Sequence, residues 1–354
     1  MKRFYVTAAI AASLLATGCQ KTYVIDEVRT PIGFSTEVGK QTKTIIDGTT
    51  FTGEFGVISY GIQGESALGQ WNTLNNEQIS NMTPVMDNVK ISKRSTDSKW
   101  AASGSYFWPN DAKTSLSFFA YYPYQETNEG TPDAENKTLG KIPGVDVNGI
   151  TLKDYVHDNI YVDFMTADAI NKTYATAVDA SSNKGVVGLQ FSHHMTQICF
   201  DVTSGSYTGV TIALKKITIK ANSKASFNNH NFGTPTDIIE YTVFDKPAGE
   251  ELSGTKLSTI LPCTVLPQTF ANDVQAISVE YTINGNNVAN ETVKKIIDLS
   301  EINNHTSWTA GQRVTYKMVI SLNEITFNPT VADWTEYDSN TNTENVKDPV
   351  DIKI

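Results

Sequence analysis

The stretch SLSFFAYYP, residues 115–123, is apolar on both faces of the strand it would form. Leu116, Phe118 and Ala120 fall on one side, Phe119 and Tyr121 on the other. Alternate side chains of a strand face opposite sides of its sheet, so this segment cannot lie in a sheet wetted on one face. It requires a core on each side, inside packed sheets or at a contact between two bodies. A second stretch adds a constraint. In VVGLQFSHHMTQICFDV, residues 186–202, Val187, Leu189 and Phe191 share one parity, whereas Ile198, Phe200 and Val202 share the other. A bulge or turn near His194–Gln197 is predicted, returning both sets to a core side.

Other strand signals run the length of the chain. GEFGVISYG (53–61), DNIYVDFMT (158–166), VTIALKKITIK (210–220) and VQAISVEYTING (274–285) are rich in β-branched and aromatic residues. Gly, Asn, Asp or Pro clusters bound most of them. RVTYKMVISLNEITF (313–327) reads as one long strand or as a pair around Asn323. No segment carries an apolar stripe of 3.6-residue period with caps over four turns. The expectation is a mainly β protein built of packed sheets. The polar stretches Tyr124–Ile150 and Asn171–Gly185 are predicted loops, the second marking a domain boundary.

The first residues have a different character. Met1-Lys2-Arg3 opens the chain, an Ala-rich apolar run follows to Ala16, and Thr17-Gly18-Cys19 closes it. That is the layout of a secretory signal, too short to span a bilayer as a helix. Its end resembles the bacterial lipobox, with Ala16 where a Leu is usual. On that reading Cys19 takes the lipid and tethers the chain; the alternative is an ordinary signal peptide with an incidental cysteine. About 335 residues then remain, enough for two domains. The formal charge is −10, and sparse basic clusters argue against nucleic acid, which needs Lys and Arg to neutralise phosphates. Cys199 and Cys263 lie in apolar strand contexts and read as structural and unpaired, the alternative being a disulfide in an oxidising compartment.

Little in the sequence points to chemistry. His193 and His194 are adjacent, so on a strand they face opposite ways and cannot share one ion without distortion. Asp154, Asp158 and Asp163 gather around His157 but lack the calcium-loop pattern and its glycine. No nucleophile elbow, phosphate loop or zinc spacing occurs. No cofactor, metal site or catalytic residue is expected. Most of the five tryptophans read as core, Trp108 and Trp334 because they sit beside apolar strand segments, with Trp71 or Trp100 left open as a sugar-stacking surface.

Against this background a family resemblance emerges. YFWPNDAKTSLSFFAYYP (106–123) resembles the fimbrillin signature, an aromatic-Trp-Pro stretch followed by Leu-x-Phe-x-Ala-Tyr-x-Pro. VVGLQFSHHMTQICFDV resembles that family's Leu-x-Phe-x-His strand. LPQTF (266–270) and WTAGQRVTYKMVISLNEITFNPTVADWTE (308–336) resemble its C-terminal half, with the closing Asp-Trp. The resemblance implies two tandem transthyretin-like β-sandwich domains in a subunit of type V pili. It implies a lipidated precursor, removal of the first strand by an Arg-specific protease, and replacement of that strand by a neighbouring subunit's C-terminal strand.

Carried over to this chain, residues 1–18 are the signal, 19–43 a lipid-anchored segment, 44–183 and 184–354 the two sandwiches. Arg29 is the preferred cleavage site, with Lys40 and Lys43 as fallbacks for an enzyme that accepts lysine. NVKDPVDIKI (345–354) is either a donor strand or the last strand of its own domain. The expected protein is a non-enzymatic stalk, tip or anchor component, lipid-anchored at the outer membrane. Its partners are other fimbrial subunits and a surface ligand, with the Tyr124–Ile150 loop as the adhesion surface. The competing readings are a glycan-binding surface lipoprotein that does not polymerise and an extracellular glycosidase with two facing carboxylates.

Overall fold

The structure, a computed structural model, describes residues 30–38, 53–126, 139–179, 181–255, 257, 259–285, 288–322, 324–334 and 352–353. Nine strands come from the first half: β1 (Gly33–Val38), β2 (Phe55–Gln63), β3 (Met86–Lys93), β4 (Trp100–Ala102), β5 (Thr114–Tyr122), β6 (Gly144–Asp146), β7 (Gly149–Val156), β8 (Met165–Lys172) and β9 (Val186–His193). Seven of them close into a barrel in the order β1-β4-β3-β2-β5-β8-β9, with β9 returning to β1. Pairing is antiparallel except between β1 and β9. A short helix, Asn76–Ser80, sits between β2 and β3. Its capping box is reciprocal: Asn75 Oδ1 accepts from the Gln78 backbone N–H, and Gln78 Oε1 from that of Asn75.

The second half supplies β10 (Thr196–Ser204), β11 (Val210–Asn228), β12 (Asn231–Phe232), β13 (Thr236–Glu251), β14 (Cys263–Val265), β15 (Gln268–Thr269), β16 (Ala276–Gly285), β17 (Val288–Asp298), β18 (Ser307–Trp308), β19 (Gln312–Ile320), β20 (Ile325–Asp333) and β21 (Ile352–Lys353). One sheet runs β14-β10-β19-β20-β21 and the facing one β17-β16-β11-β7-β6, with β12 and β13 also on β11. Residues from both inner faces, among them Phe200, Tyr316 and Phe327 against Ile219, Val279 and Tyr281, form a single apolar core. The stretch 313–327 is thus a hairpin, and its Asn323 lies outside the described residues.

Both constraints read from the sequence are met. On β5, Leu116, Phe118 and Ala120 enter the barrel core, while Phe119 and Tyr121 enter a third core lying between barrel and sandwich. Val187, Leu189 and Phe191 of β9 line the barrel, and Ile198, Phe200 and Val202 of β10 line the sandwich. The parity change at His194–Met195 is the point where the chain leaves one core for the other.

The two bodies are less separable than a tandem arrangement implies. β9 pairs with β8 and β1 in the barrel, and the chain crosses to the sandwich at His194–Met195. The β6–β7 hairpin belongs to the first half in sequence, yet β7 pairs with β11 of the sandwich (Lys224↔Val156, Ala225↔Tyr155). The predicted strand at 158–166 is mostly an irregular crossing, and β8 begins only at Met165. Its apolar composition has another cause: Ile160 packs in the sandwich core, Val162 and Phe164 in the junction core.

Candidate functional site

The barrel is closed by its first strand. β1 meets β9 in six parallel pairs, Gly33↔Val186 through Val38↔Phe191, but meets β4 in one, Phe34↔Trp100. Among the described residues no other strand links β4 to β9. Phe34 supplies the apolar contact: it is 5% exposed and meets Phe118 edge-on at 5.9 Å between ring centroids. Burying such a ring contributes about 1.5–3 kcal/mol, and the edge-on pair about 0.5–1.5 kcal/mol more. The strand's entry is fixed by backbone bonds, Ile32 N–H to Tyr106 O and Trp108 N–H to Thr30 O, each 2.9 Å. Gly185 accepts from the Gly33 N–H and from Trp108 Nε1–H, in a left-handed conformation (φ +77°) that suits glycine.

Cys19, Arg29, Lys40 and Lys43 lie outside the described residues. Their order relative to β1 is nonetheless plain from the chain: Arg29 precedes the strand, and the two lysines follow it. At the other end, β21 pairs antiparallel with β20 (Thr326↔Lys353, Phe327↔Ile352) on the outer edge of its own sheet.

The histidines and aspartates singled out by sequence do not form one site. His157 is buried, donating from Nε2 to Thr264 O (2.8 Å) and accepting from Tyr155 Oη at Nδ1 (3.1 Å); burial pushes it down to about 4. His194 meets Thr166 Oγ1 at 2.7 Å and is pushed down to about 3, chiefly by burial. Asp163 instead accepts from His193 Nδ1–H at 2.6 Å, and the His193 ring stacks on Trp334 at 4.0 Å and 16°. Asp154 is exposed, and burial raises the Asp158 carboxyl. Among the described residues no group of three His, Cys, Asp or Glu is arranged to hold a metal ion.

The aromatic platform is overturned. Trp71, Trp100, Trp108, Trp308 and Trp334 are between 0% and 9% exposed. Trp71 is a junction residue that donates from Nε1 to Val147 O, and Trp100 packs in the barrel. The far part of the Tyr124–Ile150 loop is also structural, since Leu139 and Ile150 are buried in the junction core.

The two thiols are not joined in a disulfide and lie on opposite faces of one sheet. Cys263 pairs directly with Ile198 and shares its buried side, which turns Cys199 away. Burial raises the Cys263 thiol well above its ordinary range.

The sequence profile of the fimbrillin-like family matches residues 58–334. The chain belongs to that family. It is a family of fimbrial subunits rather than of enzymes. Fimbrium subunit Fim1C of Phocaeicola vulgatus is 23% identical to the fimbrillin-like chain, over 95% of this chain and 98% of that protein. A fimbrial protein of Bacteroides vulgatus, known from its crystal structure, shares the fold with a TM-score of 0.56 at 19% identity. That likeness covers 86% of this chain and 99% of the other.

Proposed function

We propose that this protein is a subunit of a surface fimbrium, exported as a lipoprotein carrying lipid on Cys19 and joined to its neighbours by exchange of β-strands. The observation that carries the reading is the position of β1. It is the strand that closes the barrel, it lies near the start of the chain, and it is parallel to a partner far away in sequence. Its loss would expose the β9 edge and the apolar place held by Phe34. A neighbour's strand would restore both, through ladder hydrogen bonds and an alternate side chain in the pocket. The subunit then sits at the outer membrane or in the fimbrium, with other subunits as partners.

The order of residues bears on the processing site. A cut after Arg29 leaves β1 attached to the body, whereas a cut after Lys40 or Lys43 separates it. The chain's last residues, NVKDPVDIKI, have the alternation of a donor, and pairing of Ile352–Lys353 with β20 is a short contact from which they can be withdrawn. A glycan-binding lipoprotein finds no support in the tryptophans, all of which are buried.

The test uses residues 20–354 treated with an Arg-specific or a Lys-specific protease, followed by electrophoresis for SDS-resistant ladders and by electron microscopy. Ladders after lysine cleavage, lost in a Lys40→Ala/Lys43→Ala double variant, are the expected result. Ladders lost only in Arg29→Ala would move the cut to Arg29. A protein that sheds β1 cleanly and stays monomeric would refute strand exchange.

A further inference from the structure

Between barrel and sandwich lies a buried polar cluster that ordinary packing does not require. His193 ends β9 and pairs with Met165 of β8, so it belongs to the barrel, and Asp163 lies in the crossing segment that leads into β8. Trp334 directly follows β20 of the sandwich. The indole lies flat on the imidazole (4.0 Å, 16°), and the imidazole is held by the carboxylate (2.6 Å). The backbone ties Trp334 to the crossing point: Trp334 N–H donates to Gly311 O at 2.8 Å, and Gly311 N–H to Met195 O at 2.9 Å. Trp334 is wholly buried, in a core that also takes Phe119 and Phe164 from the barrel side and Phe227 and Leu266 from the sandwich side.

Among the described residues, Asp163 Oδ1, His193 Nε2 and Trp334 Nε1 are all buried with no hydrogen-bond partner. A half-satisfied polar cluster is a poor source of stability, and apolar residues of the same volume commonly do as well or better. Its use is geometric. The carboxylate fixes the plane of the imidazole, and the plane fixes how the indole, and with it the end of β20, docks on the barrel.

We propose that the Asp163–His193–Trp334 stack is a lock that makes barrel and sandwich open as one cooperative body. Its purpose rests on the fimbrial reading: in a subunit held at both ends, pull arriving from the C-terminal side reaches the barrel through Trp334. The coupling itself is measured on the isolated chain and does not depend on assembly.

The experiment is native-state hydrogen exchange on residues 20–354, comparing protection of β2 and β5 in the barrel with that of β16 and β17 in the sandwich. In the unaltered chain the most protected amides of both bodies should exchange within about threefold of one another, as parts of one cooperative unit do. Trp334→Leu should split them by about tenfold or more, and Trp334→Phe, which keeps a ring on His193, should restore most of the agreement. Trp308→Leu is the control: that side chain is as buried, but it lies in the sandwich core alone. It should lower overall stability without splitting the bodies. Should Trp334→Leu not fold, His193→Gln replaces it, trimming the stack while leaving a donor for Asp163, and the same split is expected. Coincident exchange in the lock variant that folds, an equal split in Trp308→Leu, or a split in the unaltered chain would each overturn the proposal. Failure of the chain to form fimbriae would leave the exchange result standing and would refute only the reading of its purpose.

Discussion

His230, at the tip of the β11–β12 hairpin, holds Asp168 of β8 at 3.4 Å from Nε2 to Oδ2, so sandwich and barrel meet through this pair. Asn229 and His230 both adopt left-handed backbone (φ +49° and +59°), as a two-residue hairpin turn requires. Burial raises the Asp168 carboxyl to about 6, and His230 opposes that rise. The folded chain therefore binds this proton more tightly than the unfolded chain. Its contribution to stability grows as pH falls through about 6 and levels off near the ordinary carboxylate range. Asp168→Asn should raise stability at pH 7.5 by about 1–2 kcal/mol and flatten this part of the profile. Urea titration at pH 7.5 and 5 checks it, and a loss of stability at pH 7.5 would contradict it.

The buried histidines act in the opposite direction. His157, His194 and His305 are held down to about 4, 3 and 4, in each case chiefly by burial. Below about 6.5 the unfolded chain takes up protons that the folded chain refuses, so stability falls with pH until the folded values are reached. Three such groups outweigh Asp168, and the net change between pH 6.5 and 4 is a loss. Replacing His157 with Gln, which can still donate to Thr264 O, should remove one proton's share of the slope, about 1.4 kcal/mol per pH unit at most. Denaturant midpoints at pH 7, 5.5 and 4.5 give the measurement.

The legible part of the fold was that set by side-chain alternation. Phe118 and Phe119 demand two cores whatever the partners, and the parity of Val187 against that of Ile198 marks the crossing between them. Alternation says nothing about which edge a strand joins. Hence β7 on the sandwich sheet and β9 in the barrel are not visible in the sequence. Composition misled at Ile160–Phe164, because burial at a crossing selects the same residues as a strand. The lock was hidden for a simpler reason: Asp163, His193 and Trp334 are far apart in the chain, and their spacing carries no signal. The burial of Trp71 and Trp100 likewise depends on residues remote from them.

The thiols give a test of sheet register. Because Cys263 lies opposite Ile198, a Cys199–Cys263 bond would require one side chain to pass through its sheet. In residues 20–354, a thiol reagent should label Cys199 under native conditions and Cys263 only on unfolding. Mild oxidation should yield no internal crosslink. A crosslinked monomer detected by mass spectrometry would show that β10 and β14 are out of the register described.

The two faces of β5 predict two different outcomes for neighbouring substitutions. Phe118→Ala and Phe119→Ala each empty a fully buried site and should cost about 3–5 kcal/mol. Their consequences for β1 differ. Phe118 is the edge-on partner of Phe34, so its loss opens the pocket that seats the closing strand. Phe119 packs on Trp71 at 4.6 Å in the junction core, on the far side of the sheet. Hydrogen exchange of the β1 amides, referred to the global stability of each variant, separates the two. Phe118→Ala should speed β1 exchange about tenfold beyond its global effect, as expected if local opening rather than full unfolding exposes that strand. Phe119→Ala should leave β1 opening only with the rest of the barrel. Equal acceleration in both variants would mean that β1 is held by its ladder to β9 and not by the Phe34 pocket. The proposed strand exchange would then turn on backbone pairing, with little demand on the side chains of the incoming strand.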